Sequence, residues 1–204
     1  MKCNNSCMTV KRSRFDEIRR AVCASVRDVY RKDPEIVGTT ERVVVGRLMI
    51  YLNGHLNDAI KREFSLDQDY ERAGPVTKRL DGRGALLGRK IVPDMILHRR
   101  LDTGPEGNLL AIEVKTSSSK YAKLHDFAKL SILTGHAKHA LAFDKCLRLN
   151  GDEPPNQKLQ GHVFLPANMH PYKYGLWLLI VPNGTEYWWW MNGSSPQQTN
   201  CDSE

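Results

Sequence analysis

Near the N-terminus, apolar residues recur at the three- and four-residue spacing of an amphipathic helix. This spacing predicts a first helix between Arg12 and Tyr30, because residues so spaced share one helix face. Asp33 and Pro34 should end it, since the residue before a proline is excluded from helical backbone angles. The apolar set is Phe15, Ile18, Val22, Val26 and Val29.

A second helix is predicted from about Thr40 to Phe64, with Thr39 or Thr40 as its N-cap. Its apolar stripe is Val45, Leu48, Leu52, Leu56 and Ala59. Glu41 lies at the head of the same stripe. Two interpretations of Glu41 stay open: it belongs to a functional site, or it complements the positive end of the helix dipole.

Beyond this helix the pattern changes to the short aliphatic runs of strands. Residues 65–72 form a weak strand candidate, and residues 90–98 and 109–116 form strong ones, rich in β-branched and aliphatic side chains. Glycine and proline residues at 104–107 lie between the two strong strands. We therefore predict a hairpin with a long loop.

The C-terminal half predicts one more helix and two strands. The helix covers residues 120–134, with Gly135 as its stop. Residues 174–181 have no polar face, which indicates a strand buried on both sides. In the last strand, 186–191, alternation places Trp188 and Trp190 on one face, and we favour a core role for them over base stacking.

This order of elements predicts an α/β or α+β fold: a mixed sheet of about five strands flanked by helices, with N-terminal helices preceding it. The 204 residues suffice for one domain and are too few for two ordinary ones. We predict a flexible N-terminus at 1–11, one domain at 12–192 with an insertion at 141–171, and a disordered tail at 193–204.

Composition narrows the class of partner. The net charge of +7 and pI near 9.2 favour a polyanionic partner, although a basic surface alone does not establish one. Apolar runs are too short to cross a bilayer, and the start of the chain does not resemble a signal peptide. Five scattered cysteines without a CxxC pair argue against a disulfide framework and a zinc site, and they suit a reducing cytoplasm.

Each strong strand carries one carboxylate among its apolar residues. If the hairpin is centred between Thr103 and Gly104, Asp94 lies directly across from Glu113. Directly opposed residues have Cβ atoms about 4.5–5.5 Å apart, and two carboxylates that close repel by a few kcal/mol at an effective dielectric of about 20. Either one acid is protonated or a cation lies between them. Magnesium is the simpler answer, because it needs only one or two carboxylates.

Lys115 shares a strand face with Glu113, since side chains alternate along a strand. It could orient or activate a metal-bound water, or neutralise charge on a phosphate. The alternative is a surface Glu–Lys pair worth less than ~1 kcal/mol, with an unrelated Asp94 on the next strand.

The combined pattern VPDMILHRR, then NLLAIEVKTSS, then DFAKL resembles the PD-(D/E)XK, or restriction endonuclease-like, superfamily. It is similar to a group of small bacterial proteins that also carry an early Glu-Arg pair, here Glu41 and Arg42. The resemblance implies that Asp94 and Glu113 are metal ligands and that the metal set includes Val114. It further implies that Lys115 is catalytic and that Glu41 is an outer-shell or second-metal ligand.

Four further residues are candidates for contact with nucleic acid. His98, Arg99 and Arg100 leave the strand beside the loop and could hold the phosphate backbone; a plain solvated turn is the alternative. Lys129 could touch a phosphate, because helices in its position often support the active site in this superfamily. An ordinary ion pair with Asp126 fits the same spacing equally well.

Two functional hypotheses follow. The first is a cytoplasmic Mg²⁺- or Mn²⁺-dependent nuclease, with DNA favoured as substrate, that hydrolyses phosphodiester bonds by a metal-activated water. The second is a catalytically silent nucleic-acid-binding or assembly module of the same fold in a defence or mobile-element system. Cutting both strands with one site per chain would call for a homodimer, and membrane binding is not expected.

Overall fold

The computed structural model describes most of the helical and sheet framework. It covers residues 13–68, 72–73, 76–77, 81–82, 92–102, 104–117, 119–136, 163–164, 170–191 and 195–201. The predicted N-terminal segment 1–11 and most of the predicted insertion 141–171 lie outside these residues. Within them, no helix combines the length and apolar composition needed to span a bilayer.

The described elements are helices in the first third of the chain, then strands interrupted by one helix. The helices are α1 (Arg14–Lys32), a 3₁₀ turn (Pro34–Ile36), α2 (Glu41–His55), α3 (Asp58–Glu63) and α4 (Lys120–Leu133). The strands are β1 (Ser65–Gln68), β2 (Arg72–Ala73), β3 (Val76–Thr77), β4 (Asp81–Gly82), β5 (Met95–His98), β6 (Asn108–Lys115), β7 (Val163–Phe164), β8 (Tyr174–Val181), β9 (Gly184–Met191) and β10 (Gln197–Thr199).

Six strands form the main sheet, in the order β1-β5-β6-β8-β9-β10. Neighbours pair antiparallel except β6 and β8, which are parallel and flank α4 in the chain. The two-stranded ladders β2-β3 and β4-β7 stand apart from it. The predicted mixed sheet with preceding helices is confirmed, with six strands in place of about five.

Helices cover both faces of the sheet, and alternation along the strands assigns each side chain to one face. Met95, Leu97 and Ile112 pack in the core beneath α1, α2 and α3. Ile96 and Ala111 face the opposite way, into the core beneath α4. The predicted double burial of β8 is confirmed, because its side chains enter both cores. Trp188 and Trp190 lie together in the α4 core, as expected.

The single helix predicted at 40–64 is wrong, because the chain breaks at Leu56 and Asn57. Asn57 is the N-cap of α3: its side chain accepts a hydrogen bond from the Ile60 backbone N–H at 2.8 Å. An asparagine bonded in this way starts a new helix rather than continuing the old one.

The strand predicted at 90–98 is shorter than expected, since β5 begins at Met95 and residues 90–91 lie outside the described part. Pro93 has no backbone N–H to give to a ladder. The side chain of Asp94 instead accepts the Val114 N–H at 2.7 Å. Because this carboxylate takes the place of a backbone acceptor, β5 begins only after Asp94, at the edge of the candidate site.

A disulfide joins Cys23 on α1 to Cys201, across 178 residues of chain. Strand β10 pairs with β9 just before it. The expected absence of disulfides is therefore wrong, and so is the predicted disorder of the tail for residues 195–201. Disulfides are rare in cytosolic proteins, so the cysteine argument for a reducing compartment no longer holds.

Candidate active site

The register of the β5–β6 hairpin brings the two predicted carboxylates together. Met95 pairs with Ile112 and Ile96 with Ala111. One step further along this register, Asp94 lies opposite Glu113. The centre predicted for the hairpin agrees with these pairs, although a bulge shifts the register at His98. Both acids belong to the α4 face, which they share with Ile96 and Ala111.

Asp94 is held by the backbone of the neighbouring strand. Its Oδ2 accepts the Val114 N–H at 2.7 Å. Burial raises the pKa of Asp94 to about 6, and the bond from Val114 and the charge of Lys115 oppose this rise. The side chain of Val114 lies in the opposite core, so the backbone of Val114 is what borders the site.

Glu113 is fully buried near the end of a strand. Burial raises its pKa well above the ordinary value; the nearby charge of Lys129 opposes the rise and that of Asp94 adds to it. The Nζ of Lys129 lies 2.6 Å from Oε1. Among the described residues, no group donates a hydrogen bond to the second carboxylate oxygen, Oε2. Glu113 thus keeps buried acceptor capacity, which is costly unless a ligand uses it.

Lys115 links three elements at the end of β6. Its Nζ donates to both oxygens of Glu41, each at 3.0 Å, and lies 3.4 Å from Asp126 on α4. Burial acts to lower the pKa of Lys115, but Asp126 and Glu41 outweigh it, so the pKa is raised. Lys115 is therefore an ammonium ion at neutral pH, suited to stabilising negative charge and unsuited to accepting a proton.

Asp126 is the residue of this cluster to which the sequence analysis gave no site role. It accepts a hydrogen bond from the Trp177 Nε1 at 3.3 Å and lies between Lys115 and Lys129. Burial acts to raise the pKa of Asp126, but His125 and the two lysines outweigh it, so the pKa is lowered. The three-residue spacing of Asp126 and Lys129 signalled an ion pair, and their charged atoms lie 3.9 Å apart. It did not signal that both side chains point into the site.

Lys129 lies inside the cluster of charged side chains, whereas the sequence predicted that it contacts a phosphate. Its side chain is 16% exposed and pairs with Glu113. Its Nζ also donates a hydrogen bond to the Val92 carbonyl at 3.5 Å. Burial acts to lower the pKa of Lys129, but Glu113 and Asp126 outweigh it and the pKa is raised. Lys129 thus serves as an internal counterion in this structure, and its contact with nucleic acid stays a prediction.

The strand-end candidates contact acids of neighbouring elements, and the two arginines among them form ion pairs. The Nε2 of His98 lies 2.8 Å from Asp67. Arg100 donates to both oxygens of Asp67. Arg99 pairs with Glu63 at 3.0 Å. His98 is buried and the two arginines are engaged by acids, and the contact of these three residues with nucleic acid stays a prediction.

A cavity of about 170 Å³ opens beside the acids. Its lining is Glu41, Arg42, Val45, Gln68 and Asp94. Arg42 is exposed and, within the described part of the chain, forms no ion pair. The cavity thus offers a cationic group and two carboxylates on the side of the site that solvent can reach.

The residues present fit a divalent cation in part. Four carboxyl groups and two ammonium groups lie together, so the cluster has a formal charge of −2 when all are ionised. Asp94 and Glu113 can supply the one or two carboxylates that Mg²⁺ or Mn²⁺ needs. Among the described residues, no three histidine, cysteine, aspartate or glutamate side chains are arranged to hold a metal ion. The fit thus rests on two acids and on the unsatisfied Oε2 of Glu113.

Comparison of the chain with protein-family models, with curated proteins and with solved structures finds no match.

Proposed function

We propose that this chain is a nuclease that hydrolyses phosphodiester bonds of nucleic acid, with DNA favoured, and that Asp94 and Glu113 hold a Mg²⁺ or Mn²⁺ ion. The observation that carries the proposal is Glu113: a fully buried carboxyl beside a second acid, with Lys129 against Oε1 and no hydrogen-bond partner for Oε2 among the described residues. Folding would not favour such a group without a ligand. When bound, the ion would activate a water molecule and offset charge on the phosphate.

The surrounding side chains support hydrolysis by positioning and charge. Lys115 remains protonated, so its ammonium group can offset the negative charge that builds on a phosphate oxygen. Glu41 holds Lys115 in place through two hydrogen bonds. Arg42, exposed at the mouth of the cavity, can hold a neighbouring phosphate through its planar guanidinium.

The direct test is cleavage of labelled single- and double-stranded DNA and RNA, with Mg²⁺, with Mn²⁺ or with a chelator. We expect metal-dependent cleavage, and we expect Lys115→Met to reduce its rate by about 10²-fold or more. Lys61→Met is the matched control, because Lys61 pairs with Asp58 on the surface of α3. The role assigned to Lys115 is refuted if its folded variant cuts as fast as the control.

A catalytically silent binding or assembly module of the same fold is the second candidate. The close Lys129–Glu113 pair favours it, because a site already compensated by an internal cation can persist without a metal. Titration calorimetry with Mn²⁺ separates the two functions. A nuclease should bind the ion and lose binding on Asp94→Asn, whereas a silent module should bind none.

Assembly and location are part of the proposal. A homodimer would place two sites on one duplex, and a larger defence or mobile-element complex would serve the silent module. Analytical ultracentrifugation with and without a DNA duplex separates these cases. We place the chain in the cytoplasm, where it would meet a nucleic-acid substrate. The state of the Cys23–Cys201 bond in protein isolated from cells would test this location, because disulfides are rare in cytosolic proteins.

A further inference from the structure

The outward face of α1 carries a cavity of about 270 Å³, away from the acid cluster. Its lining is Arg19, Arg20, Cys23, Ala24, Arg27 and Cys201. Arg19 and Arg20 lie about one turn before Cys23 and Ala24, and Arg27 lies about one turn after them. Because the two central side chains are small, the three guanidinium groups border an open floor.

These arginines differ from most others that the structure describes. Arg14, for example, lies 3.2 Å from Glu63. By contrast, Arg19, Arg20 and Arg27 have no carboxylate within 4.0 Å among the described residues, and no acid among those residues lines the cavity. Arg20 donates from Nε to the backbone carbonyl of Asp16 at 3.2 Å, and its guanidinium carries further donors that make no hydrogen bond within the described residues. Within the described part of the chain, these three positive charges therefore have no acidic partner.

We infer that this three-arginine cavity binds the phosphodiester backbone of a nucleic acid. Arg19 and Arg27 are separated by about 12 Å along the helix at about 1.5 Å per residue. One strand of DNA presents about three phosphates over that axial length. Guanidinium groups match phosphate oxygens in pairs, so three arginines can hold about three phosphates. The choice of nucleic acid as ligand rests on the proposed function.

The test measures binding without cleavage. The full chain is titrated into a fluorescein-labelled DNA duplex in chelator, and the dissociation constant is followed by anisotropy from about 50 to 200 mM salt. Each lost phosphate contact should reduce the slope of log K against log salt by about 0.9. We expect Arg27→Gln to reduce it by about one unit, and the triple Arg19/Arg20/Arg27→Gln variant to reduce it by about two to three.

Arg62→Gln is the matched control, because Arg62 is exposed on α3 and forms no ion pair within the described residues. It removes the same charge from another surface. Equal slopes for Arg27→Gln and Arg62→Gln would overturn the inference, since binding would then follow net charge alone. If the triple variant does not fold, Arg19→Gln and Arg27→Gln decide by the same comparison.

The outcome is separable from that of the proposed function. Metal-dependent cleavage without any arginine dependence of binding would overturn this inference alone. Arginine-dependent binding without cleavage of any substrate would support the inference and overturn the nuclease proposal.

Discussion

Replacing Lys129 by methionine should destabilise the chain in a pH-dependent way. In the wild type, the Lys129 ammonium lies 2.6 Å from the buried Glu113 carboxylate. Methionine keeps much of the side-chain volume and removes the charge. The Glu113 carboxyl must then remain as an uncompensated buried charge or take up a proton. Breaking a buried pair by removing one partner costs about 3–5 kcal/mol.

Proton uptake by Glu113 limits the loss of stability to a smaller value than this. The unfolded carboxyl titrates near 4.5, so keeping Glu113 protonated at about pH 7 costs about 1.4 kcal/mol per pH unit, roughly 3 kcal/mol in total. Near pH 5 the ceiling is only about 0.7 kcal/mol. Burial already raises the pKa of Glu113 in the wild type, so part of this cost exists before the substitution. We therefore expect a loss of about 1–3 kcal/mol at pH 7.

The direction in which stability changes with pH follows from proton binding. An acid whose pKa is raised in the folded state binds more protons there than in the unfolded chain, so stability falls as pH rises above 4.5. Urea unfolding at several pH values, in chelator, measures the difference between Lys129→Met and the wild type. The double variant Glu113→Gln/Lys129→Met should recover most of the loss, because it removes both charges. A loss of equal size at pH 5 and pH 8 would refute the charge argument and indicate lost packing instead.

Three further predictions concern other groups. At subsaturating Mg²⁺ the cleavage rate should rise with pH through about pH 6, where the buried Asp94 ionises, and a flat profile from about pH 5 to 7 would contradict this. The Cys23→Ser/Cys201→Ser variant should lose about 2–4 kcal/mol in urea unfolding, and no loss would show that the bond does not constrain the tail. A hydrogen bond from Lys32 lowers the pKa of Asp28 to about 2. Asp28→Asn should therefore destabilise the chain above about pH 4, with the difference vanishing as pH falls through about 2.

The hairpin acids could be predicted because strand alternation and loop symmetry are local properties. Met95–Ile112 pairing follows from the positions of the apolar runs and of the glycine-rich loop between them. The break between α2 and α3 also had a local signal, since an asparagine followed by an aspartate at 57–58 is a helix start. That signal was outweighed by the apolar stripe that continues to Ala59.

The burial of His98 and the Cys23–Cys201 bond could not be predicted in the same way. His98 is buried because β1 pairs beside it and presents Asp67, yet β1 was a weak strand candidate. The disulfide depends on β10 returning to the sheet beside β9, which no nearby pattern indicates. Contacts between elements far apart in the chain are set by packing, and spacing along the sequence does not report them.

The two lysines of the site are distinguished by what lies beside them rather than by their position in a motif. Lys115 reaches Glu41 at the head of α2, next to the open cavity, whereas Lys129 lies against Glu113 at the closed side. The closed-side lysine compensates one buried carboxylate, and Lys115 shares its charge between Glu41 and Asp126. Together they leave a formal charge of −2, which one divalent cation can balance. A second divalent ion would make the cluster positive, so we expect this site to hold a single ion.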